Sequence, residues 1–132
     1  MRSAAFQYET GKPSLIPWAI QVRAISQEEP GRLVQMLTGA ILGCGGWVLS
    51  RSASDSGAVN LLFEFERRSC LEMYGVLIAS GIELTPNGHI RFTELCQCTL
   101  HDSREHATDI ASIDLEIQTF TIQADNSRSP QN

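Results

Sequence analysis

Apolar residues in this chain change their spacing along the sequence, from every second residue to every third or fourth and back, and that change constrains the architecture more than any motif does. The alternation is plainest at 58–66, where Val59, Leu61, Phe63 and Phe65 face one way and Asn60, Glu64 and Glu66 the other. Trp47–Asp55 before it reads as a partner strand, joined through the turn Asp55-Ser56-Gly57 into a hairpin. Upstream, Ile20, Val22 and Ala24 alternate with Gln21 and Arg23, which predicts a first strand. Between these strands Leu33, Met36, Leu37, Ala40, Ile41 and Cys44 recur at helical spacing. Pro30 suits the first turn of that helix, because its missing N–H would have no partner there. Gly43, Gly45 and Gly46 supply its stop.

The second half repeats the theme. Ser69 and Glu72 have capping-box spacing, Leu71, Tyr74, Leu77 and Ile78 form a stripe, and Gly81 ends a second helix. After the turn Pro86-Asn87-Gly88, the residues Ile90, Phe92, Cys96, Cys98 and Leu100 alternate with polar neighbours, interrupted at Glu94, and predict a fourth strand within Gly88–Leu100. The order β-α-β-β-α-β predicts an α+β, ferredoxin-like sandwich: an antiparallel sheet with two helices on one face. Ile113, Leu115 and Ile117 alternate with Asp114, Glu116 and Gln118 and add a C-terminal extra strand running to about Ile122. The expected plan is an N-terminal arm at 1–17, the main domain at 18–100, an extension at 101–122 and a disordered tail at 123–132.

Composition narrows the function. With 132 residues there is material for one domain and its core. The formal charge of −5 is uneven: residues 1–100 carry eight basic against nine acidic side chains, and 101–132 carry two against six. A near-neutral body with an acidic extension argues against phosphate recognition, so no nucleic-acid partner is expected. No membrane partner is expected either, since no apolar run approaches spanning length and no signal peptide is visible. The expected location is cytoplasmic, with Cys44 and Cys70 as buried thiols in apolar patterns. Helices on one face leave Gln21, Arg23, Leu62, Glu64, Thr93, Leu95 and Gln97 on the other, and the sheet has open edges. Both features favour a homo-oligomer, most simply a dimer; a monomer whose fifth strand caps an edge is the alternative.

Glu28-Glu29-Pro30-Gly31-Arg32-Leu33 lies between a strand and an amphipathic helix, with glycines and a second strand following. This segment in this element order resembles the ACT domain, whose signature is an acidic or Asn residue, any residue, Pro-Gly, any residue, then Leu. The resemblance spans about Ile20 to Leu100 and departs from the family pattern at Glu28, where Asp or Asn is usual, and at Gly45-Gly46-Trp47-Val48. It implies a regulatory, non-catalytic domain that binds an amino acid or similar metabolite, often at a dimer interface, and acts on a separate enzyme partner. The ligand-binding residues would be Glu28, Pro30, Gly31, Arg32, Leu33, Gly45, Gly46 and Trp47. Backbone N–H groups of Gly31, Arg32 and Leu33 would open the helix toward a carboxylate. The plainer reading is that these glycines only make tight connections.

Other constellations are weaker. Cys96, Cys98, His101 and His106 are four potential zinc ligands, but two cysteines on one strand face read more simply as buried thiols, so no metal and no cofactor is expected. Glu64 and Glu66 could pair as acid and base, although surface carboxylates are far commoner. Ser50, Ser52 and Ser54 around Arg51 read as a solvated strand face, and His89 as a turn residue. Two alternatives to the regulatory reading stay open: a ligand-free interaction module and a small dimeric ferredoxin-like enzyme.

Overall fold

The computed structural model describes residues 19–101 and 108–120, with side chains for 19–97 and 108–120. The expected arm at 1–17 and tail at 123–132 lie outside the described residues. Strand β1 spans Ala19–Ser26, helix α1 Pro30–Gly43, strand β2 Trp47–Ala53 and strand β3 Ala58–Glu66. A 3-10 turn, Arg67–Ser69, leads into α2 at Cys70–Ala79, then β4 at Glu83–Leu84, α3 at Pro86–His101 and β5 at Ile110–Thr119. The sheet is five-stranded and mixed, in the order β2-β3-β5-β1-β4. Among the described residues no helix is long and apolar enough to cross a membrane.

Two expectations about the strands are corrected here. The predicted fourth strand at Gly88–Leu100 is helix α3 instead. Among its residues with described side chains the buried ones are Gly88, Phe92, Leu95 and Cys96, which is helical spacing, whereas Ile90 is exposed. Thr85 supplies the start, its Oγ1 accepting from the Gly88 N–H at 3.0 Å, with Pro86 as the first helical residue. Gly88 also lets α3 close on β1, since a Cβ there would meet Val22 Cγ1 at 3.1 Å and the Arg23 carbonyl oxygen at 3.2 Å. Thr93, Leu95 and Gln97 are therefore on a helix and not on the open sheet face.

The second correction concerns the C-terminal strand. It neither caps an edge nor lies outside the main sheet: β5 sits in the middle, parallel to β1 and antiparallel to β3. Its register with β1 runs from Ala19↔Ser112 to Ser26↔Thr119, and with β3 from Ala58↔Gln118 to Glu66↔Ile110. A purely antiparallel sheet is thereby excluded. The inward residues Ala111, Ile113, Leu115 and Ile117 have no exposure at all. They share the core with Val59, Leu61, Phe63 and Phe65 of β3 and with Leu33, Leu37 and Ile41 of α1.

Helix α1 packs on β2 and β3, α3 packs on β1, and α2 lies between the two helices. The predicted stripe of α2 is rotated. Cys70, Met73 and Leu77 are buried, while Leu71 is 62% and Ile78 38% exposed. Ser69 makes no side-chain cap, so the capping box does not form. The segment Cys70–Ala79 is apolar nearly all round, so its sequence did not specify an inner face.

Candidate functional site

The β1–α1 connection is built on the chain's own carboxylates. Glu29 is the helix N-cap, and its Oε1 accepts from the Arg32 N–H at 2.8 Å. The Leu33 N–H donates to the Glu29 carbonyl at 2.9 Å. Hydrogen bonds from the backbone of Arg32 and then Gly31 hold the Glu29 carboxyl below its ordinary value of 4.5. Glu28 pairs with Arg32 one turn on, at 3.5 Å. The three N–H groups expected to face a ligand carboxylate thus already have partners, and Glu29 stands where such an anion would sit. Because the folded value is lowered, the Glu29 cap stabilises the protein above about pH 4.5 and is lost as pH falls through the folded value. Urea unfolding should show Glu29→Ala below wild type at about pH 7, the gap narrowing as pH falls below about 4.5.

The remaining predicted ligand residues are separated by α1. Pro30 and Gly31 are at its start, and Gly45, Gly46 and Trp47 follow its end. A helix of 14 residues sets these clusters about 20 Å apart within one chain. Leu33 is fully buried in the core. Gly45 has a φ of +86°. Gly46 is a packing residue: a Cβ there would lie 2.9 Å from the Glu64 carbonyl oxygen and 3.0 Å from Ile41 Cγ2 and Met73 Cε. Trp47 lies on the open sheet face, where its Nε1–H donates to Glu64 Oε1 at 3.0 Å.

What α1 does join is Gly31 to Arg51. A groove of about 360 Å³ between α1 and edge strand β2 is lined by Gly31, Val34, Gln35, Arg51, Ser52 and Ala53. The sequence reading took Ser50, Ser52 and Ser54, with Arg51 between them, as a solvated strand face; a bulge sets which way Arg51 turns. Pairing runs Val48↔Phe63 and then Ser50↔Leu62, so Leu49 is the extra residue and every later side chain of β2 changes face. Arg51 then pairs with core-facing Leu61 and reaches α1, where its Nη1 donates to Thr38 Oγ1 at 3.4 Å. Only the irregular register carries that signal.

Two further clefts are present. One, of about 320 Å³, lies at the end of β1 against β4 and includes Ser26, Glu83 and Phe120. The other, of about 310 Å³, lies at the start of β1 and includes Gln21, Leu62, Arg91 and Asp114. The open sheet face between them is mostly polar: Arg23 pairs with Glu116 at 3.4 Å, and Gln21 Nε2 donates to Asp114 at 3.4 Å. Comparison with family models, curated proteins and solved structures returns no match.

The other sequence candidates are dispersed. Glu64 takes the Trp47 indole, and Glu66 pairs with Arg68 at 2.7 Å. His89 lies in the first turn of α3, where its Nδ1 is 2.7 Å from the Tyr74 hydroxyl. Of the Cys96–His106 constellation, Cys96 contacts Cys70, while the side chains of Cys98, His101 and His106 lie outside the described residues. Among the described residues no group of three His, Cys, Asp or Glu side chains is placed to hold a metal ion.

Proposed function

We propose that this is an ACT-like regulatory domain that binds a small carboxylate-bearing metabolite, such as an amino acid, in the α1–β2 groove. The single observation carrying this is Arg51 facing Gly31 across that groove. The guanidinium supplies the fork that a carboxylate needs, in place of the helix N-terminus that Glu29 occupies. The groove volume is in the range of small-ligand sites. With β5 set aside, the order β4-β1-β3-β2 is that of a ferredoxin-like sheet, which supports reading the fold as a ferredoxin-like one with a strand inserted between β1 and β3. Among the described residues strand β2 is a sheet edge, so a second copy pairing there would set two such grooves side by side and give the expected homodimer.

A thermal-shift screen across the common amino acids tests the reading. At least one should raise the melting temperature; a ligand at about 100 times its Kd adds about 2.7 kcal/mol. Arg51→Gln should abolish that shift while leaving the unliganded melting temperature near wild type, because Arg51 is exposed. A screen without any shift removes the ligand-binding reading.

A second reading, a ligand-free interaction module, rests on α2. Leu71 and Ile78 present an apolar outer face there, the kind of surface a partner covers. Retention of the oligomeric state by Leu71→Glu would count against it.

A further inference from the structure

Cys70 opens α2 and Cys96 lies in the body of α3, and their Sγ atoms are 3.0 Å apart. Both are free thiols, 1% and 6% exposed. A disulfide bond is about 2.05 Å long, so the two sulfurs need to close by only about 1 Å. The helices that carry them are already held side by side. Tyr74 on α2 packs against Phe92 on α3, with ring centroids 5.1 Å apart, and meets His89 at 2.7 Å. We propose that Cys70 and Cys96 form a redox-active dithiol that closes to an intramolecular disulfide on exposure to hydrogen peroxide.

Burial selects the oxidant. A water-sized peroxide reaches a sulfur with 6% exposure, whereas a bulky disulfide such as oxidised glutathione does not. The environment also divides the roles of the two sulfurs. A hydrogen bond from the Cys70 thiol holds Cys96 below the ordinary thiol value, against the effect of its burial. The same bond, with burial added, raises Cys70. The buried Arg67 guanidinium lies near Cys70 and favours negative charge there. Cys96, the more exposed of the two sulfurs, is the attacking thiolate. Its sulfur bonds to one peroxide oxygen, the O–O bond breaks, and hydroxide leaves and takes up the proton that Cys96 released, which gives a sulfenic acid on Cys96 and one water. The Cys70 sulfur then attacks the Cys96 sulfur. The S–S bond forms, the S–O bond breaks, and the departing hydroxide takes the Cys70 proton. Two thiols are oxidised and one peroxide is reduced to two waters.

The test uses the full chain, reduced, freed of reductant, and treated with a small molar excess of hydrogen peroxide before alkylation in denaturant. Of its four cysteines, two should escape alkylation. The unalkylated mass should fall by about 2 Da, and a peptide joined through Cys70 and Cys96 should appear, all reversed by dithiothreitol. The bridge spans a sequence separation of 26 residues, so the oxidised form should melt about 10 °C higher. The Cys44→Ser/Cys98→Ser double variant keeps both thiols of the pair and should respond as wild type does. Four alkylated cysteines after peroxide, sulfinic acid on Cys96 without a cross-link, a Cys96–Cys98 link, or an oxidised form that melts no higher would each overturn the proposal.

Discussion

A chain ending at His101 is expected to show no cooperative unfolding transition. Of the described elements, that truncation keeps β1 to β4 and α1 to α3 and removes β5. In the intact sheet, β1 and β3 are not paired with each other; each pairs with β5, and without it both lose their ladder along the centre of the sheet. Burial of Ile113, Leu115 and Ile117 contributes together about 7 kcal/mol. A domain of this size has a net stability of about 5–15 kcal/mol, so that loss alone removes much of it before any hydrogen bond is counted. The 3-10 turn loses its anchor as well, since the Arg67 N–H donates to the Asp109 carbonyl at 2.9 Å. Urea unfolding followed by near-ultraviolet circular dichroism is the measurement. A sharp two-state transition in the truncated chain would show that β1 and β3 can pair directly, and that β5 is dispensable.

Gly46→Val should cost about 3 kcal/mol, the range for overpacking a filled core. The nearest obstacle is the Glu64 carbonyl oxygen, 2.9 Å from the position of a new Cβ. It belongs to the middle of the sheet, with Glu64 paired to Trp47 on one side and to Ser112 on the other, so it cannot withdraw without breaking a ladder. Ile41 and Met73, both fully buried, close the other directions. The neighbouring Gly45→Ala is the contrast. A Cβ there meets nothing within 4 Å, and only the positive φ resists it, at about 1 kcal/mol. Unfolding midpoints in urea for the two variants should differ accordingly. Gly46→Ala should also leave the ligand-induced shift at Arg51 in place, since Gly46 lies at the far end of α1 from the groove.

Legibility of the fold followed the strength of the local pattern. The hairpin and α1 were readable because each has a clean period and a local stop signal. Helix α3 was misread because Ile90 and Phe92 happen to lie two apart; Glu94 and the Thr85-Pro86 start were the contrary signals. The inner face of α2 was not encoded by a pattern in a segment apolar nearly all round. At the candidate site, the Pro30-Gly31 loop was visible as a helix start. That Glu29 caps it and fills the anion position depends on a side-chain rotamer. That Arg51 reaches α1 depends on a bulge at Leu49, which sets the face of every residue after it.

The sequence by itself determined which segments are amphipathic, where α1 begins, and that the C-terminal segment contains an alternating strand with acidic residues on one side. Those are properties of neighbours along the chain, expressed through period and turn chemistry. Only the tertiary structure decided that this strand is central, that Arg51 turns toward α1, and that Cys70 meets Cys96. Each of these depends on contacts between residues far apart in sequence. The position of β5 follows from its two paired neighbours and its four unexposed inward residues, which a place at the sheet edge could not bury. What composition presents as an acidic addition to a neutral domain is, in the fold, the strand that joins its two halves.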